Sequence, residues 1–240
     1  MSAARSVFIF SLMMLVAFPA FAREDCAPID HEGEYEDRFG RSELARTDEQ
    51  LRALYENPTV IASSATRTDE EGARIETLTE THAVFPVAAE DLMQTLTAND
   101  RLTDFMPNLS DHEVVCRPAE NVSRQRQRTD FGLLIFSLGT EYVIDVHYPF
   151  SGPDRYGSHW VLVDSIDGRM GFIYGSWYFE SIELDGRPAT YVRHYARTGL
   201  TTAVPGVRVF IEPRLQGEIT ALFDAFYEEA LVRHGRIAVN

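Results

Sequence analysis

The chain contains no lysine, so all 22 of its basic residues are arginines. This absence excludes a Schiff-base lysine and a phosphate-binding loop of the Walker type, because both chemistries need a lysine side chain. The metal motif H-E-x-x-H, a cysteine pair at metal-binding spacing and the nucleophile motif G-x-S-x-G are absent too. The sequence therefore predicts no metal site, no cofactor and no catalytic residue.

Positive charge is also scarce. The 37 acidic residues outnumber the basic ones, and the formal net charge is −15. Proteins that bind nucleic acid hold its phosphates with clustered basic side chains. Nucleic acid is therefore excluded as the expected partner.

Long hydrophobic runs are missing except at the N-terminus, where Val7–Phe18 follows the single charge of Arg5. This run has about 12 residues, whereas a membrane span needs roughly 20. Ala20 and Ala22 then match an A-x-A cleavage site. We expect residues 1–22 to be a signal peptide rather than an anchor. The signal and the missing lysines favour export across the inner membrane into a Gram-negative periplasm.

Cysteine is limited to Cys26 and Cys116. An even pair in an exported protein favours one disulfide, here between an N-terminal extension and the following domain. Two free thiols are the alternative.

The remaining chain divides by pattern into two parts. Residues 23–71 form a polar extension, with one helix predicted at Thr47–Glu56 because Thr47 and Gln50 match a capping box; a disordered arm is the alternative. Residues 72–236 form the domain. Its pattern predicts a strand, a short helix, about six antiparallel strands and a long amphipathic C-terminal helix.

Turn positions predict which strand residues face each other. A turn at Asp185-Gly186 pairs Trp177 with His194, and a turn near Asp167-Gly168 pairs Trp160 with Gly175. Since side chains alternate along a strand, each parity defines one face of the sheet. The nearly uncharged face, expected to lie against the helix, holds Tyr142, Ile144, Val146, Tyr148, Trp160, Leu162, Ile173, Gly175, Trp177, Phe179, Val192, His194 and Ala196.

Two interpretations of this face remain open. Large aromatics beside Gly175 and Ala196 fit either tight packing or room for a ligand. An apolar wall with a few polar side-chain ends is typical of a ligand pocket, and here those ends belong to Tyr142, Tyr148, Trp177 and His194.

Three stretches resemble the START-like (SRPBCC) superfamily, which has the helix-grip fold and includes polyketide cyclases and lipid-transport proteins. They are His82–Val115 with its Phe-Met-Pro-Asn turn, Gly175–Tyr195 with its Gly-x-Trp strand, and the VPGVRVFIEPRLQGEITALFDAF segment that opens the last helix. The resemblance covers residues from about 72 to 234.

The resemblance implies an α+β fold in which a curved antiparallel sheet wraps around the long C-terminal helix and leaves an internal hydrophobic cavity. It implies a lipid, sterol or other apolar ligand, with Trp177 and the helix near Phe223 lining the tunnel. Together with the face assignment, it predicts a ligand site made of Tyr142, Tyr148, Trp160, Leu162, Ile173, Trp177, Phe179, Val192, His194 and Phe223. The family shares no universal catalytic residue, so no mechanism carries over.

The main hypothesis is an exported, non-catalytic carrier of a hydrophobic small molecule. One alternative is an aromatase/cyclase-like enzyme that uses His194 and the pocket tyrosines; another is a protein-interaction module that works through residues 23–71. The stripe of Arg124, Arg126 and Arg128 is expected to be a solvated face, with transient contact with anionic lipids as the alternative. An apolar loop at Asp130–Thr140 has three open interpretations: a lid over the tunnel, a membrane-touching tip or ordinary core packing.

One histidine pair lies away from this face. Strand pairing places His147 opposite His159 on the other side of the sheet, where solvated histidines are expected more than a metal site.

Overall fold

The computed structural model describes residues 26–27, 38–69, 72–133, 136–201 and 208–235. The predicted signal peptide lies outside these ranges. The helices are α1 (Asp48–Glu56), α2 (Ala89–Leu96), α3 (Leu102–Phe105) and α4 (Arg208–His234). The strands are β1 (Thr59–Asp69), β2 (Gly72–Phe85), β3 (Leu109–Ala119), β4 (Val122–Leu133), β5 (Phe136–Ser151), β6 (Arg155–Ser165), β7 (Met170–Leu184) and β8 (Arg187–Leu200).

The strands form one open antiparallel sheet. Its eight strands lie in the order β1-β2-β8-β7-β6-β5-β4-β3. Successive strands from β3 to β8 are neighbours, and β8 then pairs with β2 to bring the first hairpin into the same sheet. The curved sheet with α4 against it is the predicted helix-grip arrangement.

The hairpin registers confirm the predicted inner face. Trp177 pairs with His194 across β7 and β8, and Trp160 pairs with Gly175 across β6 and β7. The β7–β8 turn has positive φ at both Asp185 and Gly186, at 54° and 72°. Asp-Gly tolerates this backbone and fixes the register, because the turn's twist matches that of the strands.

Gly175 is required by packing. A Cβ atom there would overlap the Trp160 indole and the Tyr195 carbonyl oxygen. The small residue on this wall therefore accommodates the neighbouring indole instead of leaving open space beside it.

The sheet is covered on both sides. On the inner side, α2 and α4 pack on the strands around Phe179, Val192, Phe223 and Phe226, all nearly inaccessible. On the outer side, Leu51 and Leu54 of α1 pack with Tyr178 and Tyr191. The capping box that predicted α1 is present: Thr47 Oγ1 accepts from the Gln50 backbone N–H, and Gln50 Oε1 accepts from that of Thr47.

Two local predictions were wrong. Residues 59–69, assigned to the polar extension, form β1 and pair with β2 from Thr59–His82 to Asp69–Gly72. Its mostly polar sequence is compatible with its place at the edge of the sheet, where a strand pairs on one side only. The expected loop at Asp130–Thr140 is mostly the extended hairpin of β4 and β5, paired as far as Leu133–Phe136.

Candidate ligand site between the last helix and the sheet

Two adjoining cavities lie between α4 and the inner face of the sheet. The first, here called the rim cavity, has a volume of about 230 Å³ and is lined by Thr77, Thr79, Pro107, Asn108, Thr129, Ala196, Thr198, Leu200, Arg214, Leu215, Glu218, Ile219 and Leu222. The second, here called the aromatic cavity, has a volume of about 220 Å³ and is lined by Leu96, Leu102, Met106, Pro107, Leu109, Gln125, Gln127, Thr129, Tyr142, Ile144, Val146, Tyr148, Ser158, Trp160, Ile173, Trp177, His194 and Leu222. Pro107, Thr129 and Leu222 line both cavities and mark their junction.

Three rings from adjacent strands form one wall of the aromatic cavity. His194 lies 4.4 Å from Trp177 and 5.7 Å from Trp160 between ring centroids. Trp177 in turn lies 5.2 Å from Phe223 and 5.3 Å from Phe226 on α4. Phe223 and Phe226 of α4 therefore pack against the Trp177 indole, and its partner His194 on β8 lines the cavity.

His194 is buried in this wall as a neutral imidazole. Desolvation lowers the pKa of His194 to about 3, since burial penalises the charged ring. Its Nδ1 atom is buried without a hydrogen-bond partner in the described structure. A base with so low a pKa accepts protons weakly at neutral pH, so this environment favours hydrogen bonding over proton transfer.

Two tyrosines supply further polar groups to the same cavity. Burial raises the pKa of Tyr142 to about 12, because desolvation penalises the charged phenolate. Burial also raises the pKa of Tyr148. The Tyr142 hydroxyl donates to Gln127 Oε1 over 3.3 Å. Both phenols are therefore protonated donors at neutral pH.

The structure brings most of the predicted site residues to the aromatic cavity: Tyr142, Tyr148, Trp160, Ile173, Trp177 and His194 all line it. Phe179, Val192 and Phe223 lie instead in the filled core beneath it. Leu162 packs against the cluster around Tyr142 and Ile144. The assignment of all ten residues to ligand binding stays a prediction.

The sequence did not identify the polar side of the cavity. Gln125 and Gln127 line it from β4, and Ser158 lines it from β6. The available signal was alternation: residues between Arg124, Arg126 and Arg128 must point to the opposite face.

The rim cavity differs in its charged edge. Arg214 and Glu218 line it from α4, and Arg214 Nε donates to Glu218 Oε1 over 2.7 Å. Asn108, at a positive φ of 65°, turns the chain from α3 into β3 beside it. Asparagine adopts this left-handed conformation more readily than most residues.

The arginine stripe is largely neutralised. Arg124 is buried and makes two 2.8 Å hydrogen bonds to the Asp145 carboxylate. Arg126 lies 2.9 Å from Glu113, and Arg128 lies 3.7 Å from Asp130. A stripe paired in this way is a poor surface for anionic lipid headgroups, so these contacts weigh against the alternative of membrane contact.

The structure contains the disulfide between Cys26 and Cys116, which joins the N-terminal segment to β3. Beside it, Arg124 Nη2 donates to the Ala27 carbonyl oxygen over 3.0 Å. Residues 26–27 therefore lie beside the Arg124–Asp145 pair.

The histidines at 147 and 159 face each other as predicted. Their rings stack at 4.6 Å, and Phe39 lies 6.0 Å from His159. Within the described ranges, no group of three or more histidine, cysteine, aspartate or glutamate side chains is placed to hold a metal ion. Nor does any helix described there have the length and hydropathy to cross a membrane.

Comparison by sequence finds no relative: no protein-family model matches the chain, and no curated protein matches it. Comparison by structure does find similar folds. Human StAR-related lipid transfer protein 5 aligns with a TM-score of 0.56 at 13% identity, over 80% of this chain and 94% of that one. Human STARD10 aligns with a TM-score of 0.52 at 10% identity, over 79% and 84%.

A bacterial structure, from Thermus thermophilus, aligns with a TM-score of 0.50 at 12% identity, over 65% of this chain and 97% of that one. At these identities the likeness concerns the fold. The open antiparallel sheet, the long C-terminal helix against its inner face and these alignments agree: the chain has a START-like, or helix-grip, fold.

Proposed function

We propose that this protein is an exported, non-catalytic carrier that binds a hydrophobic small molecule between α4 and the aromatic wall of the sheet. The observation that carries the proposal is the pair of adjoining cavities, whose lining surface is mostly apolar although several polar side chains contribute to it. Ligand sites in proteins have this composition. Two of the structural neighbours are named as lipid-transfer or START-domain proteins, which supports an apolar ligand.

The size of the cavities suggests how the ligand lies. Each is smaller than the roughly 300–1,000 Å³ that ligand pockets usually occupy. Because Leu222, Pro107 and Thr129 line both, an elongated molecule would occupy the two spaces together and pass Leu222. Its affinity would come from burial of apolar surface, at about 25 cal/mol per Å² less the costs of association.

Binding of a fluorescent lipid tests this proposal. A nitrobenzoxadiazole-labelled cholesterol and a labelled fatty acid are titrated into the purified protein, and transfer of the bound label to unlabelled phosphatidylcholine vesicles is followed. We expect saturable binding of at least one label, with transfer faster than its spontaneous rate. Saturable binding of neither label would overturn the carrier.

A matched pair of α4 variants locates the site. Leu222→Trp places an indole at the junction of the cavities, whereas Val232→Trp adds the same side chain at a position that is 79% exposed. Leu222→Trp is expected to weaken binding about tenfold or more, because the indole fills space that the ligand needs. Overpacking should also lower the stability of the fold by about 1–3 kcal/mol. Val232→Trp should bind like the unmodified protein. Equal binding by all three would place the ligand elsewhere.

Export is part of the proposal. The N-terminal apolar run and the A-x-A site support cleavage after Ala22, and the disulfide suits an oxidising compartment such as a periplasm. Expression of the full chain in a Gram-negative host, followed by fractionation and intact-mass measurement, should give a periplasmic protein that begins at Arg23. An uncleaved protein in the cytoplasm would contradict export.

A further inference from the structure

The inner face of β4 carries polar side chains where the rest of the wall is apolar. Ser123 and Gln125 are almost fully buried there, and Gln127 and Thr129 continue the row. Gln125, Gln127 and Thr129 line the aromatic cavity. Burying amides is costly unless they are hydrogen-bonded, so such a row in an apolar cavity needs a structural or a binding reason.

The hydrogen-bonding groups of this row are only partly paired with other groups of the protein. Gln127 Nε2 donates to Gln125 Oε1 over 3.1 Å, and Gln127 Oε1 accepts from the Tyr142 hydroxyl. Gln125 also contacts His112 Nε2 at 3.1 Å and Asn99 Oδ1 at 3.3 Å. A side-chain amide offers two N–H donors and two acceptor lone pairs. These contacts of Gln127 leave one donor and one lone pair for a ligand.

The same cavity holds an unpartnered polar atom on another wall. His194 lines it, and its Nδ1 is buried with no hydrogen-bond partner in the described structure. The neutral ring has one donor and one acceptor nitrogen. Polar side chains therefore line the aromatic cavity on both the β4 and β8 sides.

Charge is missing from this polar site. Every lining residue that the structure describes for the aromatic cavity is uncharged, whereas the rim cavity has Arg214 and Glu218 at its edge. A carboxylate or phosphate placed beside Gln127 would lose its hydration without gaining a cation. That loss is far greater for a charged group than for a hydroxyl or ester.

We infer that the aromatic cavity takes the neutral, hydrogen-bonding head of an amphipathic ligand, such as an alcohol, and discriminates against carboxylates and phosphates. The apolar remainder of the molecule lies past Leu222 in the rim cavity. Gln127 and His194 are the groups expected to bond the head. This inference rests on the proposed carrier function and specifies the chemical class of its ligand.

Two ligands with the same chain test this directly. n-Dodecanol, kept below its aqueous solubility limit, and dodecanoate, kept below its critical micelle concentration, are titrated separately into the unmodified protein at neutral pH, with the emission of Trp160 and Trp177 as the readout. We expect n-dodecanol to bind at least about tenfold more tightly than dodecanoate, a difference of about 1.4 kcal/mol. Equal or tighter binding of dodecanoate would overturn the inference and leave the carrier standing. Binding of neither would count against both.

Variants on the two faces of β4 provide the control. Gln127→Leu removes the inward amide and should lower the preference for n-dodecanol about fivefold or more, because a buried hydrogen bond is lost. Arg126→Leu changes the neighbouring side chain, which faces outward toward Glu113, and should keep the preference. An unchanged preference in Gln127→Leu, in a variant whose circular dichroism is native, would overturn the role of the amide row.

Discussion

His194 lies against Trp177 with 4.4 Å between ring centroids, and it also stacks on Trp160 at 5.7 Å. These side chains come from three adjacent strands, and the registers of two hairpins bring them together. The chain has only two tryptophans, and both line the aromatic cavity. A ligand in this cavity therefore lies beside both tryptophans of the protein.

Tryptophan quenching should report the ligand. A long-chain alcohol brominated near its hydroxyl is expected to quench most of the tryptophan emission at saturation, because bromine quenches indoles in contact with it. Trp160→Phe and Trp177→Phe, each with one remaining tryptophan, should both be quenched. If the alcohol quenches no more than it quenches free tryptophan amide, no ligand occupies this cavity.

Acid should weaken the outer face through Glu80. His82 lies 3.4 Å from Glu80, and Arg193 donates two hydrogen bonds to it over 2.8 and 2.6 Å. The hydrogen bond from His82, with those from Arg193, lowers the pKa of Glu80 to about 2. Because this folded-state pKa lies below the unfolded value of about 4.3, the stabilisation is complete above that pH and is lost as pH falls from about 4.3 through about 2.

Glu80→Gln should remove this contribution, which is roughly 2–3 kcal/mol at neutral pH. The free energy of unfolding should then depend less on pH between about 4.3 and about 2. Urea denaturation at a series of pH values measures it. Glu113→Gln, an exposed carboxylate paired with Arg126, is the control and should change stability by less than about 1 kcal/mol. The same pH slope in Glu80→Gln and in the unmodified protein would contradict the assignment.

The buried Arg124–Asp145 pair should show strong coupling. The two side chains are 4% and 0% exposed. Asp145→Leu leaves the Arg124 charge buried and is expected to cost about 3–5 kcal/mol, whereas Arg124→Leu combined with Asp145→Leu should cost much less. A double-mutant cycle by urea denaturation measures the coupling. Additive costs, as expected for the exposed Arg126–Glu113 pair, would show that burial does not govern this contact.

The disulfide should stabilise the fold by limiting the unfolded chain. Cys26 and Cys116 are 90 residues apart in sequence. Replacing both with serine is expected to lower the free energy of unfolding by roughly 2–4 kcal/mol. Reductant should lower the stability of the unmodified protein by a similar amount, leave the serine variant unchanged, and add the mass of two hydrogens only to the former. No mass change on reduction would contradict the bond.

The inner face was predictable because three constraints agree. Asp185-Gly186 fixes one turn, and strand alternation fixes the face of the sheet on which each side chain lies. The set of alternate residues that is nearly uncharged then marks the face toward α4. Trp160, Trp177 and His194 were therefore located together from sequence. Alternation alone does not distinguish residues that line a cavity from residues in the filled core. Phe179 and Val192 face inward as predicted, but they lie in the core cluster and do not line the cavities. That distinction depends on how α4 packs.

The parts that were missed lacked a local signal. Strand β1 reads as a polar segment, because an edge strand needs little hydrophobicity when its neighbour supplies the pairing. The outer core between α1 and the sheet depends on contacts such as those between Leu51 or Leu54 and Tyr191, which are distant in sequence. Periodicity within one element does not contain that information.

The most direct test of the carrier is native mass spectrometry of the protein purified after contact with a membrane extract. We predict a reproducible adduct on the unmodified protein and on Val232→Trp, identified after solvent extraction as a neutral amphipathic lipid. The adduct should be absent or strongly reduced on Leu222→Trp. A bare mass for the unmodified protein would contradict the carrier function, and an adduct of equal abundance on Leu222→Trp would contradict the site between α4 and the sheet.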